Sequence, residues 1–382
     1  MTMRTLLAVA VLAGLAAAAP AAETATPATP AAAPTPPPAD LFAKDTILAK
    51  MRQVADWQLA NMPKEFVYPN GKKQKMSNDA WIRAALFTGI MATHQVTQDA
   101  KYFDAMMKVS EGNAWKPGPR RHADDHCVGQ TYCELFMAKK DPKMLEALRA
   151  TFDKYIADPK PGRDEWWWCD ALFMAPPALA RLAAVAGEKK YLDYMNTMWW
   201  DCTEFLYDKE EHLYFRDKSY FGKTEKNGKK IFWSRGNGWV LAGTARVLQV
   251  MPPDYPDRPK YIQLFKDMAA KVASLQQADG LWRASLLDPE SYPGGETSGS
   301  GFFTFGMAWG INNGLLEREK YLPVVKKGWT ALVGCVDDAG KLGWVQPVGA
   351  APAGGITKEF TMDYGVGAFL LAGSEVLKLE KP

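Results

Sequence analysis

The sequence is short of the residues that build metal and redox centres. Its 382 residues include 4 histidines and 5 cysteines, and no CxxC, HExxH or EF-hand pattern occurs. Neither sign of charge dominates: Lys and Arg total 46 against 43 Asp and Glu, a net +3. The basic residues are dispersed, which argues against a nucleic-acid partner. No Walker A, GxGxxG or GxSxG motif is present, so phosphate-cradling loops and a serine elbow find no support. After the first ~22 residues no apolar run is long enough to span a bilayer. Neither a metal nor a cofactor is expected. A hydrophobic share of 47% with 23% charged residues also excludes a disordered chain.

What the chain does have is tryptophan: 14 residues, within 12% aromatics overall. Tryptophan clusters suit sugar ligands as well as cores. The amino terminus has a second distinct composition. Arg4, the apolar run Leu6 to Ala19 and the small residues Ala19-Pro20-Ala21 read as a secretory signal peptide over 1–22. Residues 23–39 are almost all Ala, Pro and Thr, the composition of an extended linker. The folded domain is expected over 40–382, exported to the periplasm or the medium. Five cysteines leave at least one unpaired. Buried thiols are the favoured reading, with Cys169–Cys202 the one bridge to weigh.

From Asp40 onward the spacing predicts about twelve helices in two alternating classes. One class is amphipathic, as in Leu145, Leu148, Phe152 and Tyr155, or Tyr191, Met195, Met198, Cys202 and Phe205, or Tyr261, Leu264, Met268, Val272 and Leu275. These are one-face patterns with a solvated back. The other class is apolar nearly all round and rich in Ala and Gly: 80–93, 171–187, 238–250, 301–311 and 365–376. Helices of that kind belong inside. A weaker member spans 125–139. Six outer–inner pairs closing on themselves predict an all-α fold, an (α/α)6 barrel. Strand-like pieces at 212–216, 229–233, 280–284 and 343–348 are expected as short β-hairpins at one rim. The alternative architecture is an open helical solenoid.

The unusual sequences gather at the starts of the inner helices: Ser77-Asn-Asp-Ala-Trp81, His122-Ala-Asp-Asp-His126, Trp166-Trp-Trp-Cys-Asp170, Trp233-Ser-Arg-Gly-Asn-Gly-Trp239, Glu296-Thr-Ser-Gly-Ser300 and Asp363-Tyr-Gly365. Parallel inner helices bring six such starts to one end of a barrel. Helix starts favour anions, so a ring of them suits a carboxylate-bearing ligand. Any one of these pieces also reads as an ordinary N-cap. Asp170, amid apolar residues, is the sharpest candidate, because desolvation raises a carboxyl pKa and prepares a general acid. Asp124 and Asp125 offer a second carboxylate, although adjacent helical residues point apart and only one is expected to face the pocket. His122 and His126 stand at i and i+4 but lack a third metal ligand. Arg235 is a fork donor for carboxylate, Asn237 serves hydroxyls, and Trp233 and Trp239 offer faces to a sugar.

At these residues the chain resembles the unsaturated glycuronyl hydrolases of glycoside hydrolase family 105, relatives of family 88. The matching pieces are Trp168-Cys-Asp170-Ala-Leu-Phe-Met174, Trp233 to Trp239, Glu296 to Ser300 with Phe302, and Tyr364 to Glu375. The resemblance runs from about Asp45 to Leu379. It implies an (α/α)6 barrel that removes a terminal 4,5-unsaturated uronic acid from lyase-generated oligosaccharides by hydrating the enol ether. It places the acid/base role on Asp170 and a supporting carboxylate in the Asp124-Asp125 segment, with Asp125 preferred as nearer the inner helix. Asp124, His126, Trp168, Trp233, Arg235, Asn237, Trp239 and Ser298 are then the expected substrate-binding residues. Two other functions suit the same residues: a conventional inverting glycosidase using Asp125 and Asp170, and a non-catalytic sugar-binding barrel.

Overall fold

In chain order the helices of the computed structural model are α1 (Lys44–Ala60), α2 (Trp81–Thr97), α3 (Ala100–Gly112), α4 (Ala123–His126), α5 (Gly129–Lys139), α6 (Lys143–Ala157), α7 (Gly162–Glu165), α8 (Ala171–Met174), α9 (Pro176–Ala186), α10 (Lys189–Leu206), α11 (Ser234–Leu248), α12 (Arg258–Ser274), α13 (Thr297–Asn312), α14 (Arg318–Gly334) and α15 (Asp363–Val376). The structure describes residues 40–67 and 73–379. The signal-peptide and linker readings lie outside the described residues.

The two helix classes sort by burial as their patterns require. Each of α1, α3, α6, α10, α12 and α14 buries one face, as α6 does with Leu145, Leu148, Phe152 and Tyr155. By contrast, α11 is buried throughout, as is α15. The inner helices pack in a ring: α2 on α15, α15 on α13, α13 on α11, α11 on α8 and α9, α9 on α5, and α5 back on α2. That closure makes a barrel of six hairpins and excludes the open solenoid. Small residues set the spacing of the seams. A Cβ on Gly89 of α2 would lie 2.6 Å from the Gly367 carbonyl oxygen of α15, and one on Gly238 of α11 would lie 3.2 Å from the Gly299 Cα of α13.

Two inner positions are broken helices. The 171–187 run divides into α8 and α9 because Pro176 and Pro177 cannot donate to the ladder; they sit at the first turn of α9, where no donor is needed. The 125–139 run divides into α4 and α5, with Cys127 and Val128 keeping helical dihedrals between them. Helix α11 starts at Ser234, four residues before its expected start, so Arg235 and Asn237 fall in its first turn.

Strand is sparse among the described residues. β1 (Glu65–Val67) pairs antiparallel with β2 (Lys73–Lys75), and β3 (Tyr207–Asp208) with β4 (Leu213–Tyr214). Of the four strand-like pieces only 212–216 enters a ladder. The segment 229–233 makes two isolated bridges, Thr224 to Lys230 and Trp233 to Ser285, 280–284 makes one, Trp282 to Glu296, and 343–348 forms no strand. All five cysteines are free, so the Cys169–Cys202 bridge is absent. No described helix is long and apolar enough to cross a membrane.

Candidate active site

The six starts of the inner helices meet at one mouth, and side-chain contacts tie them together. Trp81 at the start of α2 stacks on Tyr364 of α15, ring centroids 5.5 Å apart. The Arg235 guanidinium of α11 lies 4.8 Å from the Tyr364 ring. The charges of Arg235 and Asp170 both act on neighbouring ionisations at this mouth, Arg235 on Asp170 and Asp170 on Asp124. A cleft of about 530 Å³ opens between the starts of α2 and α4, lined by Ser77, Asp79, Trp81, Arg120, Asp124 and Asp125 among others.

Asp170 precedes α8 but does not cap it: its carboxylate takes no bond from the helix N–H groups. It is 8% exposed, accepts a long bond from the Cys169 thiol at 3.5 Å, and has the Arg216 Nε 3.9 Å away. Burial raises its pKa, against the opposing charges of Arg216 and Arg235. Asp124 lies opposite in electrostatic terms. Its pKa is pushed up to about 7, first by burial and then by the charge of Asp170. The His122 Nδ1 stands 3.4 Å from its Oδ2, and burial together with the Arg120 charge keeps that imidazole's pKa low.

Asp125 is spent elsewhere. Its carboxylate accepts the Arg120 backbone N–H at 2.7 Å and the Arg120 Nε at 3.0 Å, and Gly118 leaves room for it where a Cβ would collide. In this geometry Asp125, the preferred member of the pair, organises the 118–120 loop, and Asp124 is the member with the raised pKa, beside the His122 ring.

Several expected binding residues are walls rather than open contacts. The Asn237 amide is consumed by the Tyr214 N–H, accepted at 2.7 Å, and the Tyr214 and Trp233 carbonyls, to which it donates at 3.0 and 3.1 Å. It pins β4 to α11. Ser298 is fully buried and bonds Glu296, whose carboxylate caps α13 through the Ser298 and Gly299 N–H groups. His126 packs on Phe152 and Tyr155 with both ring nitrogens unpartnered, and burial drops its pKa to about 3. Trp239 is enclosed by Phe173, Phe302 and Trp81. Trp233 is buried, donates to Gln346 at 3.0 Å, and has the Arg235 guanidinium 4.3 Å from its ring. Arg235 itself donates to the Gln346 and Pro347 carbonyls at 2.7 and 3.0 Å, leaving its Nε without a partner. Trp168 is buried and stacks on His122, centroids 4.4 Å apart. Residues not singled out from the sequence complete the mouth: Arg216, which had registered only within a strand-like piece, and Tyr364 and Trp81, seen only as parts of motifs.

Fold and cleft together define a carbohydrate-active helical barrel of the glycoside hydrolase class. The comparisons with known proteins agree. A family model described as Glycosyl Hydrolase Family 88 matches residues 50–380. The unsaturated 3S-rhamnoglycuronyl hydrolase of Formosa agariphila is 44% identical over 355 residues, covering 88% of this chain and 91% of that protein. A solved structure of a glycosyl hydrolase family 88 protein from Bacteroides vulgatus matches with a TM-score of 0.80 at 32% identity, covering 87% of this chain and 99% of that one. Another, a protein named as a polysaccharide lyase, matches with a TM-score of 0.81 at 32% identity, over 88% and 98% of the two chains. The chain belongs to glycosyl hydrolase family 88.

Proposed function

We propose that the protein removes a terminal 4,5-unsaturated uronic acid from oligosaccharides left by polysaccharide lyases, with rhamnose as the adjoining sugar in the substrate of first choice. The carrying observation is the Asp124–Asp170 pair: a buried carboxyl, Asp170, and a half-buried one, Asp124, at one mouth, both with raised pKa, that of Asp124 to about 7. Such a pair keeps a proton near neutral pH. The adjoining sugar is taken from the name of the Formosa relative.

In this reading Asp170 is the acid. Its proton goes to C4 of the enol ether, and the C4=C5 electron pair forms the new C–H bond. Water adds to C5 and returns a proton to the carboxylate. The resulting hemiketal opens by breaking the bond from C5 to the ring oxygen, and the C1 hemiacetal left behind expels the aglycone. Asp124, with the His122 Nδ1 3.4 Å from its Oδ2, holds the proton count of the pair and orients the water. Arg216 and Arg235, with the converging N-terminal ends of the inner helices, favour the substrate carboxylate. Export from the cell, supported by the composition of residues 1–39, would place the enzyme where lyase products are made.

The test is the near-ultraviolet absorbance of the conjugated uronate. The protein should abolish it on lyase-generated oligosaccharides, and Asp170→Asn should stop the loss while keeping the fold. A lyase acting on intact polysaccharide would instead raise the absorbance. Full activity of Asp170→Asn would overturn the assignment of the acid.

A further inference from the structure

We infer that Trp167 is the aglycone platform beside Asp170, the surface on which the sugar adjoining the unsaturated uronate stacks, and that Arg216 is the residue that sets its orientation. The inference rests on the hydrolase reading above and names a residue that decides which oligosaccharides are cleaved.

The three consecutive tryptophans have three different fates. Trp166 is buried, with its carbonyl accepting from the Cys202 thiol. Trp168 is buried beneath the His122 ring. Trp167 alone faces outward, 41% exposed. An indole left in water forfeits burial of a large apolar surface, so its exposure beside a sugar site calls for a partner that covers it. Pyranose C–H faces are such partners.

Its place relative to the acid is fixed through Arg216. The Arg216 guanidinium carbon lies 5.0 Å from the Trp167 ring centroid, and its Nε lies 3.9 Å from Asp170 Oδ2. The same arginine accepts the Cys169 N–H at its backbone carbonyl, 2.8 Å away, and donates to Asp217 at 2.7 Å. The indole is therefore one guanidinium removed from the acid. It is tilted against Trp168, centroids 4.8 Å apart, so two neighbours hold the ring angle while the rest of its surface stays open. Tyr220, which donates to the Ala350 carbonyl at 2.8 Å, lies near enough to feel the charges of Arg216 and Asp170.

The experiment compares two substrates of the full-length enzyme: a lyase-generated oligosaccharide and the methyl glycoside of the same unsaturated uronate, which has no aglycone ring. Trp167→Ala should lower kcat/KM on the oligosaccharide by about fivefold more than on the methyl glycoside, mainly through KM, a factor typical of one aromatic contact. Trp167→Phe, which keeps an aromatic face, should restore most of that difference. Equal proportional losses on the two substrates, or no recovery with Phe, would overturn the inference. Failure of the wild-type enzyme to consume the absorbance of either substrate would instead overturn the hydrolase reading.

Discussion

The charge of Asp170 holds back the ionisation of Asp124 across the barrel mouth, second only to burial in lifting Asp124 from 3.8 to about 7. The two carboxyls therefore titrate as a pair. Activity that needs one proton on the pair should fall as pH rises past about 7. Asp170→Asn removes the neighbouring charge, so the Asp124 carboxyl should ionise at a lower pH than about 7, which carboxyl NMR titration of the variant reads directly. The stability consequence has a definite sign. A carboxyl whose folded pKa is raised binds its proton more tightly in the folded state, so stability is lost as pH rises from about 4 to about 7. Asp124→Asn should then be more stable than wild type at pH 8, by at most roughly 4 kcal/mol, and show little gain at pH 4. Thermal unfolding at the two pH values reads the difference. An equal Tm change at both would contradict it.

Much of this arrangement is legible in the sequence, and the illegible part has physical causes. The alternation of one-faced and all-round apolar helices survives because burial acts on every residue of a helix, and twelve helices average out local exceptions. The convergence of six odd motifs follows from parallel inner helices. The choice between Asp124 and Asp125 was not legible. Both sit on the single turn of α4, and what commits Asp125 is the loop at 118–120 wrapping round it, a tertiary event that no local pattern records. Asn237 and Ser298 carry a related ambiguity: the polar residues that bind sugars also pin helix starts, as both do here. Arg216 was hidden because its partners, Asp170 and Trp167, are about fifty residues away in sequence.

Asn237 offers a direct check on that distinction. Its side chain satisfies the buried Tyr214 N–H and donates to two carbonyls. Asn237→Ala leaves those groups unpaired, at about 1–3 kcal/mol. The expected signature is a lower denaturation midpoint, with KM for the oligosaccharide changed less than the Arg216→Gln variant changes it. A Tm equal to wild type with a large rise in KM would return Asn237 to the list of sugar contacts.

His126 should behave as a core residue with an acid liability. Its folded pKa of about 3 lies below the ordinary value near 6.5, so the unfolded chain takes up a proton that the folded one refuses. Stability from this site is present above about pH 6.5 and is lost as pH falls towards 3. At pH 5 the loss is roughly 2 kcal/mol. His126→Phe fits the Phe152 and Tyr155 contacts and has no proton to gain. The variant should unfold at lower pH than wild type while keeping kcat/KM within about twofold. A collapse of kcat/KM at unchanged Tm would place His126 at the substrate after all.

The seam that closes the barrel gives the sharpest test of the fold itself. Gly89 of α2 approaches Gly367 of α15 so nearly that an added Cβ would meet the Gly367 carbonyl oxygen at 2.6 Å and its Cα at 2.8 Å. Both are backbone atoms, so relief requires the helices to part. Gly89→Ala should therefore destabilise by about 1–3 kcal/mol, the range for overpacked cores, despite alanine's better helix propensity. Gly112, at the exposed end of α3, has nothing within 4 Å of its would-be Cβ. There the propensity term stands alone, and Gly112→Ala should be neutral or stabilising by up to ~1 kcal/mol. Opposite signs in urea unfolding of the two variants are the expected result. If Gly89→Ala also stabilised, α2 and α15 would not meet as closely as a closed ring of inner helices requires.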